Sequence, residues 1–136
     1  MHNMIRLSAN QTRGLSSSLK VVEKSLLELE DLLLNPDNSC CREILKDIDE
    51  ETVKSDISTI RKAREHICYL TEKYTTSKEK LSLKRIINAK QSRIWVVLSD
   101  ALSERIKGYG AFPAGSAGEY DSDIRKLIEI TDELRY

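Results

Sequence analysis

Leu15, Leu19, Val22, Leu26, Leu29 and Leu33 recur at alternating steps of four and three. This rhythm lays an apolar seam along one side of an amphipathic helix, and such a seam must be buried against other helices. Ser8, with Gln11 three residues on, forms a capping box ahead of the seam, and Asn35-Pro36-Asp37-Asn38 stops it. The spacing therefore predicts a first helix over about residues 8–34. Ser39 is placed to start a short turn of helix that shows Cys41, Ile44, Leu45 and Ile48 on one side. Asp49-Glu50-Glu51 then supplies a cap and an acidic first turn for a second helix, whose inward set is Val53, Ile57, Ile60, Ala63, Ile67, Leu70 and Tyr74.

No Gly or Pro lies between Tyr74 and Leu81, so one continuous helix over about residues 50–108 is a possible reading. A break at Thr75-Thr76-Ser77 is preferred. Thr76 and Glu79 form a second capping box, two adjacent β-branched residues favour leaving the helix, and the apolar phase slips at this point. A third helix is expected over about residues 78–107, with Leu83, Ile86, Ile87, Ile94, Val97, Leu98 and Ala101 as a broad apolar face. As the most hydrophobic of the helices, it is expected to be the most enclosed. The stretch from Gly108 to Tyr120 holds four of the five glycines, one of the two prolines and the single phenylalanine, and reads as a long loop. Asp121 or Ser122 caps a short last helix carrying Ile124, Leu127, Ile128, Thr131 and Leu134. The expected fold is all-α, an antiparallel up-down bundle of three long helices and one short C-terminal helix, forming a single domain over residues 1–136.

Composition agrees with long solvated helices, since 32% of the residues are charged and only 5% aromatic. The 22 basic and 22 acidic side chains cancel, which argues against wholesale attraction to nucleic acid or to an anionic membrane. Three cysteines, Cys40, Cys41 and Cys68, cannot all pair within the chain, and this odd count fits a reducing, cytoplasmic setting. The longest unbroken apolar run, Ile94 to Leu98, is too short to span a bilayer, and the chain reads as soluble with no membrane partner.

Two cations interrupt the apolar arcs. At ~100° per residue, Arg64 falls beside Val53 in the second helix and Lys90 falls in the middle of the Leu83, Ile87, Ile94 and Ala101 arc of the third. Both are expected to point inward, at a similar level of an antiparallel bundle. Buried like charges need compensation. Either they snorkel along the flank or meet a carboxylate such as Glu23, which is the preferred reading, or they line a cleft for an anionic group.

Arg61 followed by four residues and then His66 resembles the R-x4-6-H motif of HEPN domains, small helical bundles that include RNases. The resemblance implies an arginine stabilising phosphate charge and a histidine handling a proton at a scissile phosphodiester of RNA. It spans six residues, Lys62 stands where that motif has a smaller polar residue, and Arg61 and His66 project about 140° apart on one helix. The preferred reading of the pair is a solvated helix face. The stretch from Lys78 to Arg93 holds Lys78, Lys80, Lys84, Arg85, Lys90 and Arg93 against Glu79 alone, a basic excess scattered around the helix that offers a second, weak opening to nucleic acid. The glycine-rich loop lacks the Gly-Lys-Ser/Thr ending of a phosphate-binding P-loop and follows a helix instead of a strand, so it reads as a connector. Within it Tyr109 and Phe112, with Tyr120 at its end, are candidates to close the core or dock a partner.

No set of residues at metal-ligand spacing appears, no cofactor is expected, and Cys40 and Cys41 read as a buried small residue and its exposed neighbour. Helix one carries Val21, Leu27, Leu32 and Leu34 outside its main seam, more apolar surface than one neighbouring helix needs. The functional expectation is a binding or assembly module that associates with itself or with another protein, more a binder than an enzyme.

Overall fold

Ser8 opens the first helix as its sequence requires. In the computed structural model, which describes residues 5–74 and 78–136, its hydroxyl accepts from the Gln11 amide while the Gln11 side chain accepts from the Ser8 amide. The reciprocal pair satisfies two otherwise orphaned donors. Helix α1 then runs over Ala9–Leu34, and α2 over Glu50–Lys73 with Asp49 accepting from the Thr52 amide at 2.7 Å. The remaining helices are α3 (Leu83–Asp100), α4 (Ser103–Ile106) and α5 (Ala117–Asp132), with a 3₁₀ turn at Lys107–Tyr109. The chain is all-helical, with no strand among the described residues. Its contacts group into two compact units, Met1–Lys78 and Glu79–Tyr136.

In the first unit α1 packs on α2. Ile60 and Ile67 are buried, and Val53, Ile57, Ala63, Leu70 and Tyr74 are half-buried, which is the inward set the periodicity predicts. On α1 the covered side is rotated from the expected seam. Leu15, Leu19, Leu26 and Leu33 are half-buried together with Thr12, Ser16 and Glu30, while Val22 and Leu29 remain 49% and 48% exposed. A single partner covers one narrow arc, and the arc it covers here includes Glu30, which bonds to α2.

The segment between the helices departs from expectation. No turn of helix follows Ser39; its hydroxyl instead accepts from the amides of Cys41 and Arg42, a local turn that competes with helix. Without that helical turn nothing buries Cys41, and Cys40, Cys41 and Cys68 are all exposed free thiols.

In the second unit α3 packs on α5. Helix α3 is shorter than expected at both ends. Residues 78–82 are not helical, and Ser82 caps the helix by accepting from the Arg85 amide; the expected Thr76 cap lies outside the described residues. At the other end the chain leaves the helix after Asp100, Leu102 is extended, and α4 restarts at Ser103. Two residues of α5 make this break: the Tyr120 hydroxyl donates to the Ala101 carbonyl, and the Asp121 carboxylate accepts both the Ser103 amide and the Ser103 hydroxyl at 2.7 Å. Asp121 thus caps α4 from another helix, in place of Leu102, which has no side chain able to do so. Asp121 lies inside α5 rather than at its start, because that helix begins at Ala117. The expected loop is correspondingly shorter, and Gly110 and Gly115 supply its two positive-φ positions at φ 146° and 78°.

Nor is α3 the most enclosed helix. Its one buried residue is Gln91, whereas α2 buries two isoleucines. The chain exposes 11613 Å². Two compact chains of half its 15.5 kDa mass would expose about 8700 Å² together, about 2900 Å² less.

Two outcomes follow. Ile67→Ala empties part of the α1–α2 seam and lowers stability by about 2–4 kcal/mol in a urea titration. The hydroxyl and amide of Ser103 hold the Asp121 carboxyl below the usual aspartate range. A folded-state pKa below the unfolded one stabilises the fold above the unfolded value, and this contribution is lost as pH falls through the lowered folded value. The Asp121 carboxyl carbon and the Ser103 amide proton should therefore titrate together on the acid side of ordinary aspartate, and Asp121→Asn should abolish that step.

Candidate functional site

Glu30 on α1 is reached by two guanidiniums from α2. Arg64 Nη1 lies 3.1 Å and 3.3 Å from its two oxygens, and Arg61 Nε lies 3.6 Å from Oε2. The spacing of three residues puts both arginines on the same flank of α2, within reach of one carboxylate. Glu30 is the most sheltered of the three and Arg61 the most exposed. Arg64 thus meets a carboxylate, as its position in the apolar arc demands, but the partner is Glu30 and not Glu23. The two arginines to one acid leave this flank cationic on balance.

His66 lies on the other flank of α2, exposed, with its ring 5.4 Å from that of Tyr69. The structure does not bring it to Arg61, whose guanidinium turns toward Glu30. The pair therefore does not converge on a common point in this unit, as five helical steps of ~100° dictate.

Lys90 belongs to the second unit and is exposed, contrary to the inward position expected for it. The side of α3 that faces α5 is centred one residue on, at Gln91, which is 3% exposed and donates from Nε2 to Asp132 Oδ1 at 2.7 Å. Ile87, Ile94 and Leu98 flank it at steps of three and four. Lys90 sits instead at the centre of an outer stripe with Leu83 and Val97, which are 70% and 60% exposed. The sequence offers two apolar arcs on α3, and periodicity alone does not tell which one meets a partner. Asn88 adds a further polar clamp, its amide exchanging hydrogen bonds with the Tyr136 amide and carbonyl. Lys84, Arg85, Lys90 and Arg93 are exposed and surround α3 instead of lining one strip.

Among the loop aromatics the structure brings Phe112 and Tyr120 together, with ring centroids 4.8 Å apart. Tyr120 is anchored by its hydroxyl at the α3–α4 break, and both residues are half-buried. Tyr109 is separate from them and 95% exposed. An open hollow of about 660 Å³ lies beside Phe112, lined by Ser103, Arg105, Lys107 and Ala111, where Lys107 is held by Glu104 at 2.7 Å.

Among the described residues no three His, Cys, Asp or Glu side chains are grouped to hold a metal ion, and no helix is long and apolar enough to cross a membrane. What both units share is uncovered apolar surface: Val21, Val22, Leu27, Leu29, Leu32 and Leu34 on α1, and Leu83, Trp95, Val96 and Val97 on α3. Against known protein families, curated proteins and solved structures, the chain matches none.

Removing the Glu30 carboxylate leaves its two arginines without it while changing shape little. Glu30→Gln is expected to cost about 1 kcal/mol in urea unfolding, most of it coupled to Arg64 in a double-mutant cycle, whereas Arg61→Ala alone stays within about 0.5 kcal/mol.

Proposed function

We propose that this protein is a helical association module that works by binding, joining a second copy of itself or another helical protein. The observation that supports the reading is its unspent apolar surface. Helix α1 packs on α2, and α3 packs on α5 with a smaller contact to α4; each carries a further row of aliphatic side chains open to water. Contiguous exposed apolar faces of this kind mark surfaces that a partner covers. Self-association needs no further component and is the form tested first.

Sedimentation velocity of the full chain, from micromolar to near-millimolar concentration, is expected to show a mass that rises above 15.5 kDa with concentration and is little changed by added RNA. A particle that keeps the monomer mass across that range would sink self-association. Salt-sensitive RNA binding lost in His66→Ala would move the assignment to the RNA-directed reading of Arg61 and His66.

A further inference from the structure

Helices α3 and α4 are continuous by sequence and separate in the structure. From Leu83 to Lys107 there is no Gly or Pro, and Ala101, Leu102, Glu104, Arg105 and Lys107 around the joint are all strong helix formers. Ala101 stays in the right-handed helical region, and Leu102 has φ −64°, the value of a helix, with ψ 152°. One backbone angle therefore separates the broken form from a continuous one. We infer that the joint at Ala101–Leu102 is a two-state switch: Tyr120 and Asp121 of α5 hold it broken, and when they let go α3 runs on through α4 as a single helix to about residue 107.

The Ala101 carbonyl and the Ser103 amide have partners in either form. In the broken form the carbonyl accepts from the Tyr120 hydroxyl and the amide donates to the Asp121 carboxylate, while the Arg105 amide donates to the Leu102 carbonyl at 2.9 Å. In the continuous form the Ala101 carbonyl takes the Arg105 amide and the Ser103 amide gives to the Ser99 carbonyl, the ordinary bonds of an α-helix. Side chains allow both forms as well. Leu102 lies four residues after Leu98, so in one helix it extends the row of Ile87, Gln91, Ile94 and Leu98 that faces α5. Against this, Asp100 and Glu104 would stand one turn apart with like charge. Opposed local preferences leave the choice to the two side chains of α5.

Asp121 is the stronger hold, since its carboxylate accepts from both the amide and the hydroxyl of Ser103. Tyr120 adds a link to the hollow beside Phe112, because its ring packs on that of Phe112 while its hydroxyl grips the joint. The walls of the hollow come from α4 and the 3₁₀ turn through Ser103, Arg105 and Lys107, and from α5 through Ala117. They part when α4 swings into line with α3. Whatever fills the hollow therefore favours the break, and whatever draws Tyr120 or Asp121 away from the joint favours the long helix.

The test uses the full chain and reads the carbon-13 Cα shifts of Ala101 and Leu102, with those of Leu83 to Leu98 reporting on α3 itself. Tyr120→Phe removes one oxygen and keeps the ring on Phe112; it is expected to move the Leu102 shift part of the way from extended towards helical values. Tyr120→Phe combined with Asp121→Ala is expected to bring both residues to helical values. A Leu102 that stays extended in the double variant, or takes the shift of a disordered chain, while α3 remains helical would overturn the switch. Where the double variant releases α5 altogether, the grip is gone and the long helix is still required, so the same reading applies. Where α3 melts too, Tyr120→Phe and Ser103→Ala, each lacking a single oxygen, decide the matter, and unchanged Leu102 shifts in both would overturn the inference.

Discussion

A helix packed against one neighbour hides a single arc of its girth, and this limit governs both units of the chain. Helix α1 is paired with α2, and α3 with α5. Each pairing buries little: Ile60 and Ile67 in the first unit, Gln91 in the second. Hydrophobic stabilisation scales with area removed from water, so pairs of this kind retain apolar faces whose burial would add to it. The uncovered valines and leucines are thus a consequence of geometry, and association is the process that would complete their burial.

Because the apolar seams are thin, polar contacts carry much of the registration. Glu30 accepts from Arg64 across the α1–α2 seam, Gln91 donates to Asp132 across the α3–α5 seam, and Asp121 and Tyr120 reach from α5 to the break after α3. A leucine seam tolerates sliding by a turn, whereas a sheltered amide or carboxylate that loses its partner costs about 1–3 kcal/mol. These contacts therefore select one register among several that the apolar pattern permits. The break at Ala101–Leu102 shows the same economy. The carbonyl and amide that a continuous helix would have used internally are taken up by Tyr120 and Asp121 instead.

Local chemistry was legible in the sequence and tertiary choice was not. Ser8 with Gln11, and Asp49 with Thr52, cap their helices through neighbours three residues away, so the signal and the contact lie in the same short window. The inward set of α2 was equally readable because a strong 3.6-residue period offers it one apolar arc. On α3 two arcs compete, one centred on Gln91 and one on Lys90, and which is covered depends on where α5 lies, a fact outside the window. The helix break was hidden for a similar reason, since Tyr120 and Asp121 act on residues 18 and 19 positions earlier. At Ser39 the signal was ambiguous in itself: a serine that can cap a helix can also close a local turn, and here it closes the turn. Of the candidate site residues, Arg64 could be assigned a carboxylate from its place in an apolar arc, but Glu30 could not be named without the register between the two helices.

The two outer faces left over from pairing differ in the feature that decides whether water can be removed from them. On α3 the outer stripe has Lys90 at its centre, with Leu83 and Val97 on either side. An ammonium group there keeps the stripe hydrated unless an acid arrives with the partner, so its aliphatic neighbours are poor at sticking to one another. On α1 the exposed row of Gly14, Ser18, Val22, Ser25, Leu29 and Leu32 carries no charge of its own along about 27 Å of helix, and charged groups, Glu28, Asp31 and Arg42, border it only at the groove beside Leu29 and Leu32. Equal amounts of apolar surface are therefore unequal in what they can do. A surface that dried the α3 face would have to bring a carboxylate to Lys90, whereas the α1 row makes no such demand along its own length.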